Sequence, residues 1–334
     1  MRIFASMAEK FHKRVSNLHV VNGTAREKAL QWVKNHRLPG NGIVPYNTPT
    51  RNIATQEVTG YFIPTLYNVG EIELAEDLAI WEVSVQRLDG AFSAIDNVPY
   101  TFDTAQVIRG FLAVVDDMPE LKKNLRRACN YVAGQIAPNG EVRTPSYNYW
   151  KLADGSMLSE YGNLYVLPPL LQAGLKLSEP RFVAAAQRGL NYFKQKPDLV
   201  KFKSELGTLS HYFGYMMEAL VDLGEIELAE KGLRQATVIQ KDNGAIPAYP
   251  GVDWICSTGM AQLAIALYKL GDRKPADQAV HYLESIQNPS GGFYGSYGEG
   301  AQYFPKQEIS WAVKFFLDSS LLRDGDHSQR QKGF

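Results

Sequence analysis

The chain reads as an all-α protein, an (α/α)6 toroid in which six helical hairpins close into a ring. Three observations predict this. The heptapeptide Gly-Glu-Ile-Glu-Leu-Ala-Glu occurs twice, starting at Gly70 and again at Gly224, each time behind an apolar stretch opened by Leu66 or Leu220. The separation is three times a spacing of about fifty residues, a repeat period that signals a solenoid or ring. Next, a Gln followed by a Gly-containing turn recurs at residues 86–92, 135–140, 240–246 and 287–293, with a degenerate copy at 195–198. Asp-Gly, Asn-Gly and Ser-Gly at the end of an apolar-periodic run stop a helix, because Gly adopts the left-handed conformation at little cost. Last, the two ends are complementary halves. An open solenoid needs polar capping repeats, whereas these apolar halves would complete each other.

Taken in order, residues 24–35 form a second helix without a first, and the stop signal at 38–43 follows. Five complete hairpins start near Thr55, Phe102, Ser159, Leu209 and Ile255. In the fourth, Tyr212, Tyr215, Met216, Ala219, Leu220 and Leu223 keep helical spacing, Gly224 breaks it, and Ile226, Ala229, Leu233 and Ala236 resume it. In the fifth, Gly271-Asp272 separates Met260–Leu270 from a second run through Ala276, Ala279, Val280, Leu283 and Ile286. Each is an αα-hairpin. Residues 306–322 are a first helix without its partner, so the sixth hairpin joins the two ends of the chain.

Lys plus Arg equals Asp plus Glu at 35 each, so no basic field exists for nucleic acid or an anionic membrane. The unbroken repeat predicts one toroid domain over 1–323, with 1–23 as an N-terminal extension and 324–334 as a polar, disordered tail. Cys129 and Cys256 lack metal-type spacing and suit a reducing compartment. The N-terminus becomes charged too early for a signal peptide, and no run is apolar enough to span a bilayer. A cytoplasmic protein with no metal and no cofactor is the expectation.

Aligning the first helices picks out one equivalent position at each N-terminus: Glu57, Asp103, Glu160, His211, Cys256 and Glu308. All should lie at one end of the ring, where the Gln…Gly loops also arrive. Gly60, Gly214 and Gly259 follow three of them by three residues, as a close approach of inner helices would require. The arriving loops carry Arg51, Tyr100, Arg143, Tyr147, Trp150, Tyr249, Trp254, Tyr297, Tyr303 and Lys306. Aromatic faces among carboxylates and hydroxyls suit a sugar cleft, since a pyranose packs its apolar face and needs polar partners at its rim. Structural roles compete with this. The helix macrodipole favours an acid in the first turn by about 0.3–1 kcal/mol, Asp103 can cap its helix, and Cys256 can be a small buried hydrophobe.

The hairpin period and the Gln-x-x-x-Gly-aromatic endings resemble the α/α-toroid superfamily of terpenoid cyclases, protein prenyltransferase β-subunits and six-hairpin carbohydrate enzymes. Residues 287–293 look like the turn motif of the cyclases, with Phe293 in place of the usual Trp. The resemblance implies the fold over nearly the whole chain and leaves the chemistry open. Two departures weigh against isoprenoid chemistry. The nearest sequence to a cyclase acid motif, Val115-Asp116-Asp117, falls at a hairpin turn. Asp253 and Cys256 have no downstream His to complete a prenyltransferase zinc set, since His281 sits on an outer helix and His327 in the tail.

The sequence therefore points to an enzyme acting on a glycan, including an acidic, uronate-containing polysaccharide or its precursor. In hydrolysis, two of Glu57, Asp103, Glu160 and Glu308 would act as acid and base, about 6.5–9.5 Å apart for inversion. In C5-epimerisation or elimination, His211 or Tyr212 would take the proton beside a carboxylate neutralised by Arg51, Arg143 or Lys306. The alternatives are a non-catalytic toroid binding glycan or protein in polysaccharide biosynthesis, and an isoprenoid-handling protein.

Overall fold

The structure is a computed structural model that describes residues 22–38, 40–43, 53–146 and 160–325. Among these residues it contains twelve α-helices: α1 (Ala25–His36), α2 (Gln56–Asn68), α3 (Ile72–Val85), α4 (Thr101–Val114), α5 (Lys122–Gln135), α6 (Leu167–Lys176), α7 (Pro180–Lys194), α8 (Ser210–Asp222), α9 (Ile226–Val238), α10 (Ser257–Lys269), α11 (Arg273–Ile286) and α12 (Ser310–Arg323). The even-numbered helices form the inner circle and the odd-numbered ones the outer. Inner helices pack on one another in the order α2, α4, α6, α8, α10, α12, and α12 returns to both α1 and α2, so the ring is closed.

Burial explains the two circles. Every residue of α8 from Ser210 to Leu220 is buried, whereas α5 buries only the stripe Leu125, Ala128, Cys129 and Val132. A helix apolar all round belongs inside and an amphipathic one outside. Inner helices also approach closely where glycine permits. A Cβ on Gly60 would lie 2.7 Å from the Val107 Cα, and one on Gly259 would lie 2.4 Å from the His211 amide nitrogen.

Three of the Gln…Gly endings are staples between consecutive outer helices. Gln86 Nε2 donates to the Gly90 carbonyl of its own turn and to the Asn124 carbonyl in the first turn of α5, both at 3.0 Å. Gln240 repeats this with Gly244 and Pro275. Gln287 does so with Gly291 and Ala25, both at 2.9 Å, and this last staple joins the end of the chain to its beginning. Each turn glycine has positive φ and faces a carbonyl of the next outer helix. At Gly291 (φ 88°) a Cβ would meet the Lys28 oxygen at 2.1 Å.

The duplicated heptapeptide forms the opposite turns. Gly70 and Gly224 have φ of 88° and 79°. The following Glu71 and Glu225 pair with Lys34 and Lys194 from the preceding outer helices, each at 2.7 Å. It is scaffold at the end of the ring away from the inner-helix N-termini.

The third hairpin departs from the expected plain helix near Ser159. Residues Glu160–Val166 form a 3-10 segment, and α6 begins at Leu167. Pro168 and Pro169 have no N–H, so neither can donate back one turn, which disfavours an α-helix before them and suits a helix start. The Tyr165 carbonyl, which residue 169 would otherwise bond, instead accepts from Arg109 Nη2 at 3.1 Å. Before the tenth helix, β1 (Ile255–Cys256) pairs antiparallel with β2 (Ser296–Tyr297), tying two mouth loops together.

Candidate active site

The inner-helix N-termini share one end of the ring and form its mouth. The sequence-aligned positions there have unequal surroundings. Glu57 and Asp103 lie in the first turns of the adjacent helices α2 and α4. Asp103 is buried and Glu57 half-buried. Burial pushes Glu57 up to about 7. Burial raises Asp103 well above the usual carboxylate range, and the charges of Glu57 and then Asp96 raise it further. Among the described residues, no Lys or Arg forms an ion pair with either acid. Burial and mutual repulsion therefore bias this pair toward holding a proton.

The other four positions are engaged elsewhere or lack acid chemistry. Glu308 closes the ring: it accepts from Trp32 Nε1 of α1 at 2.7 Å, from Asn288 Nδ2 at 2.8 Å and from the Ser290 hydroxyl. Glu160 is exposed and pairs with Lys196 at 3.0 Å. Cys256 is buried as a thiol pushed up to about 12 by burial. His211 is buried with Nδ1 2.6 Å from Gln262 Oε1, and burial lowers it to about 4.

One helical turn below the acids lies an aromatic floor. Tyr215 contacts Phe102, Tyr165, His211 and Phe315, with ring centroids 4.6–6.0 Å apart, and Tyr61 reaches Phe315 at 6.2 Å. Burial raises the phenols of Tyr61, Tyr212 and Tyr215, and the Glu57 charge adds to each. Tyr303 leans in from the loop before α12, 5.6 Å from His211 and 6.3 Å from Tyr212.

Beneath the floor, charged side chains fill the axis. Lys314 pairs with Asp318 at 2.8 Å, and Thr65 donates to Asp318 at 2.7 Å. Lys269 pairs with Asp222 at 2.5 Å, and Arg109 stacks 4.0 Å over the Tyr165 ring. Tyr165 donates to Glu218 at 3.4 Å, and burial pushes Glu218 up to about 7. This charged layer packs the ring interior below the aromatic floor.

No family profile matches the chain, and no curated protein matches it in sequence. Solved structures do match in three dimensions. An alpha-amylase from Clostridium perfringens superposes with a TM-score of 0.69 at 14% identity, covering 90% of this chain and 98% of that one. An unsaturated glucuronyl hydrolase specific for heparin gives 0.66 at 14%, covering 90% and 96%. A glycosidase in complex with glucose gives 0.67 at 11%, covering 90% and 97%. The fold is the six-hairpin toroid of these glycosidases.

Within the toroid, the loop residues expected to bind substrate fall into several environments. Tyr100 is buried and donates to Asp96 at 2.9 Å. Trp254 is buried in the core with Tyr249 edge-on at 5.5 Å. Tyr297 is half-buried and bridges the Tyr294 amide and Asn288. Arg143 is exposed beside Glu141 at 3.2 Å, and Lys306 is exposed. Arg51, Tyr147 and Trp150 lie outside the described residues. Sequence reasoning did not assign Tyr61, Tyr215 and Phe315 to the site, although Tyr61 and Tyr215 stand four residues beyond Glu57 and His211 and Phe315 stands seven beyond Glu308, so that each shares a helix face with a mouth position. The Val115-Asp116-Asp117 segment lies at the far turn, where Asp116 pairs with Lys176. No helix of the described residues is long and apolar enough to cross a membrane.

Proposed function

We propose that this protein is a glycoside-cleaving enzyme, with Asp103 as the proton donor and Glu57 as the partner carboxylate. The observation that supports it best is the acid pair, Asp103 buried and Glu57 half-buried, above an aromatic floor. Burial and acidic neighbours shift Asp103 toward its protonated form, which is the state a general acid needs before it gives its proton to a leaving oxygen. Glu57, with a midpoint near neutrality, can activate water or stabilise the cation-like sugar in the transition state. Phe102 and Tyr303, both partly exposed, offer faces for the sugar's apolar side. The glycosidases with the same fold make a saccharide the natural substrate class.

Proton abstraction from a uronate by His211 or Tyr212 is less well supported. An imidazole lowered to about 4 is a weak base, and burial raises the Tyr212 phenol rather than lowering it. An isoprenoid well is also disfavoured, because two carboxylates would stand at its mouth.

The test is release of reducing ends from a panel of neutral and uronate-containing oligosaccharides by wild type, Asp103→Asn and Glu57→Gln. Loss of a general acid or base costs about 10²–10⁴ in turnover. Each variant should therefore lose at least 10² in kcat while still binding. Turnover unchanged in both would exclude the acid pair as the catalytic machinery.

A further inference from the structure

His211 enters the mouth from the first turn of α8 and is 4% exposed. Its partner Gln262, on α10, is fully buried, and the Gln262 Nε2 has no hydrogen-bond partner. A buried amide that leaves one donor unsatisfied is costly, by about 1–3 kcal/mol. The position is nevertheless built for it: Gly214 on α8 leaves the room, since a Cβ there would lie 2.7 Å from the Gln262 Cβ. The aromatic rings of Tyr212, Tyr215, Tyr303 and Phe315 surround the imidazole at 4.6–6.4 Å.

The amide oxygen faces Nδ1 and can only accept, so Nδ1 carries the proton and Nε2 keeps a lone pair. The titratable groups around the ring do not oppose this. They are Tyr212 and Tyr215 from α8, Tyr303 from the loop before α12, and the Cys256 thiol at the start of α10. All four are raised by burial and stay neutral at pH 7.

We propose that Gln262 is a positioning residue that fixes His211 as its neutral Nδ1–H tautomer, so that Nε2 accepts a hydrogen bond from a hydroxyl of the sugar bound in the well. The identity of the donor rests on the glycoside reading above; the tautomer does not. In this role His211 orients the substrate and takes no proton during turnover. An amide serves where a carboxylate would not, because a buried carboxylate would draw a second proton onto the ring and remove the acceptor.

Long-range ¹⁵N NMR of the imidazoles in the wild-type protein tests the tautomer without any substrate. The expected spectrum shows His211 protonated on Nδ1 and unprotonated on Nε2, unchanged down to pH 5. An Nε2–H tautomer, or a midpoint near the ordinary 6.5, would overturn the proposal. The second arm measures oligosaccharide binding calorimetrically in an Asp103→Asn background, with and without Gln262→Glu. With Gln262→Glu the imidazole becomes cationic, and binding should weaken about tenfold per pH unit below its new midpoint, while Gln262 itself gives no such limb. Identical pH profiles would overturn the proposal. If no oligosaccharide binds any variant yet the tautomer is as expected, the glycoside reading falls and the positioning by Gln262 stands.

Discussion

Replacing Glu57 with Gln should stabilise the protein, and the gain should appear only as the pH rises. In the folded protein Glu57 holds its proton up to about 7, against an ordinary 4.5. The unfolded chain releases that proton first, so folding stability falls as the pH climbs from 4.5 to about 7 and stays lower above it. Each pH unit of that interval withholds ~1.4 kcal/mol. The half-buried position discounts the total to roughly 2–3 kcal/mol at pH 8. A Gln cannot ionise and escapes the whole effect. For a chain of this size roughly 2 °C of Tm corresponds to 1 kcal/mol, so the variant should melt about 4–6 °C above wild type at pH 8. At pH 4.5 the two should nearly coincide. Thermal melts of both proteins from pH 4.5 to 8.5 give the answer directly. A gap that does not change with pH, or a variant less stable than wild type at pH 8, would refute the claim that burial keeps this acid from ionising.

Three further outcomes follow from packing. Gly291→Ala and Gly70→Ala start from the same φ of 88°, but only the first added Cβ meets backbone, the Lys28 oxygen at 2.1 Å; denaturant titration should show roughly 1 kcal/mol lost at Gly70 and several kcal/mol at Gly291. Glu308→Ala leaves Trp32, Asn288 and Ser290 without their acceptor and should cost about 3–5 kcal/mol, with Glu308→Gln between it and wild type in the same titration. Lys314→Met strands the buried Asp318 carboxylate and should cost about 3–5 kcal/mol, whereas the double change to Lys314→Met with Asp318→Leu should recover most of it.

The fold was legible because its signals are local. Gln240 reaches a carbonyl only four residues ahead in its own turn, and Gln86 and Gln287 repeat that spacing at two other outer-helix ends. Closure was legible too, since two apolar half-hairpins have no other way to bury their faces. The third inner helix starts near Ser159 as the hairpin count implies, but that count gives no weight to Pro168-Pro169, which turn its start into a 3-10 segment. The division of labour at the mouth could not be read in the same way. Glu57 and Glu308 look alike in sequence, yet Glu308 is consumed by an indole 276 residues away and Glu57 is not. Loop aromatics have no period, so nothing separated Trp254, which is core, from Tyr303, which faces His211. Tyr61 and Tyr215 could have been found by stepping one turn inward from Glu57 and His211, because residues four apart share a helix face.

The central claim is that Asp103 gives its proton to a glycosidic oxygen held in the aromatic well. The most direct measurement is a crystal structure of Asp103→Asn soaked with an oligosaccharide that wild type cleaves. A glycosidic oxygen should lie about 2.6–3.2 Å from the residue-103 side chain, with a sugar ring against Phe102 or Tyr303. A saccharide bound away from the mouth, or one lying in the well with no glycosidic oxygen near residue 103 or residue 57, would contradict it.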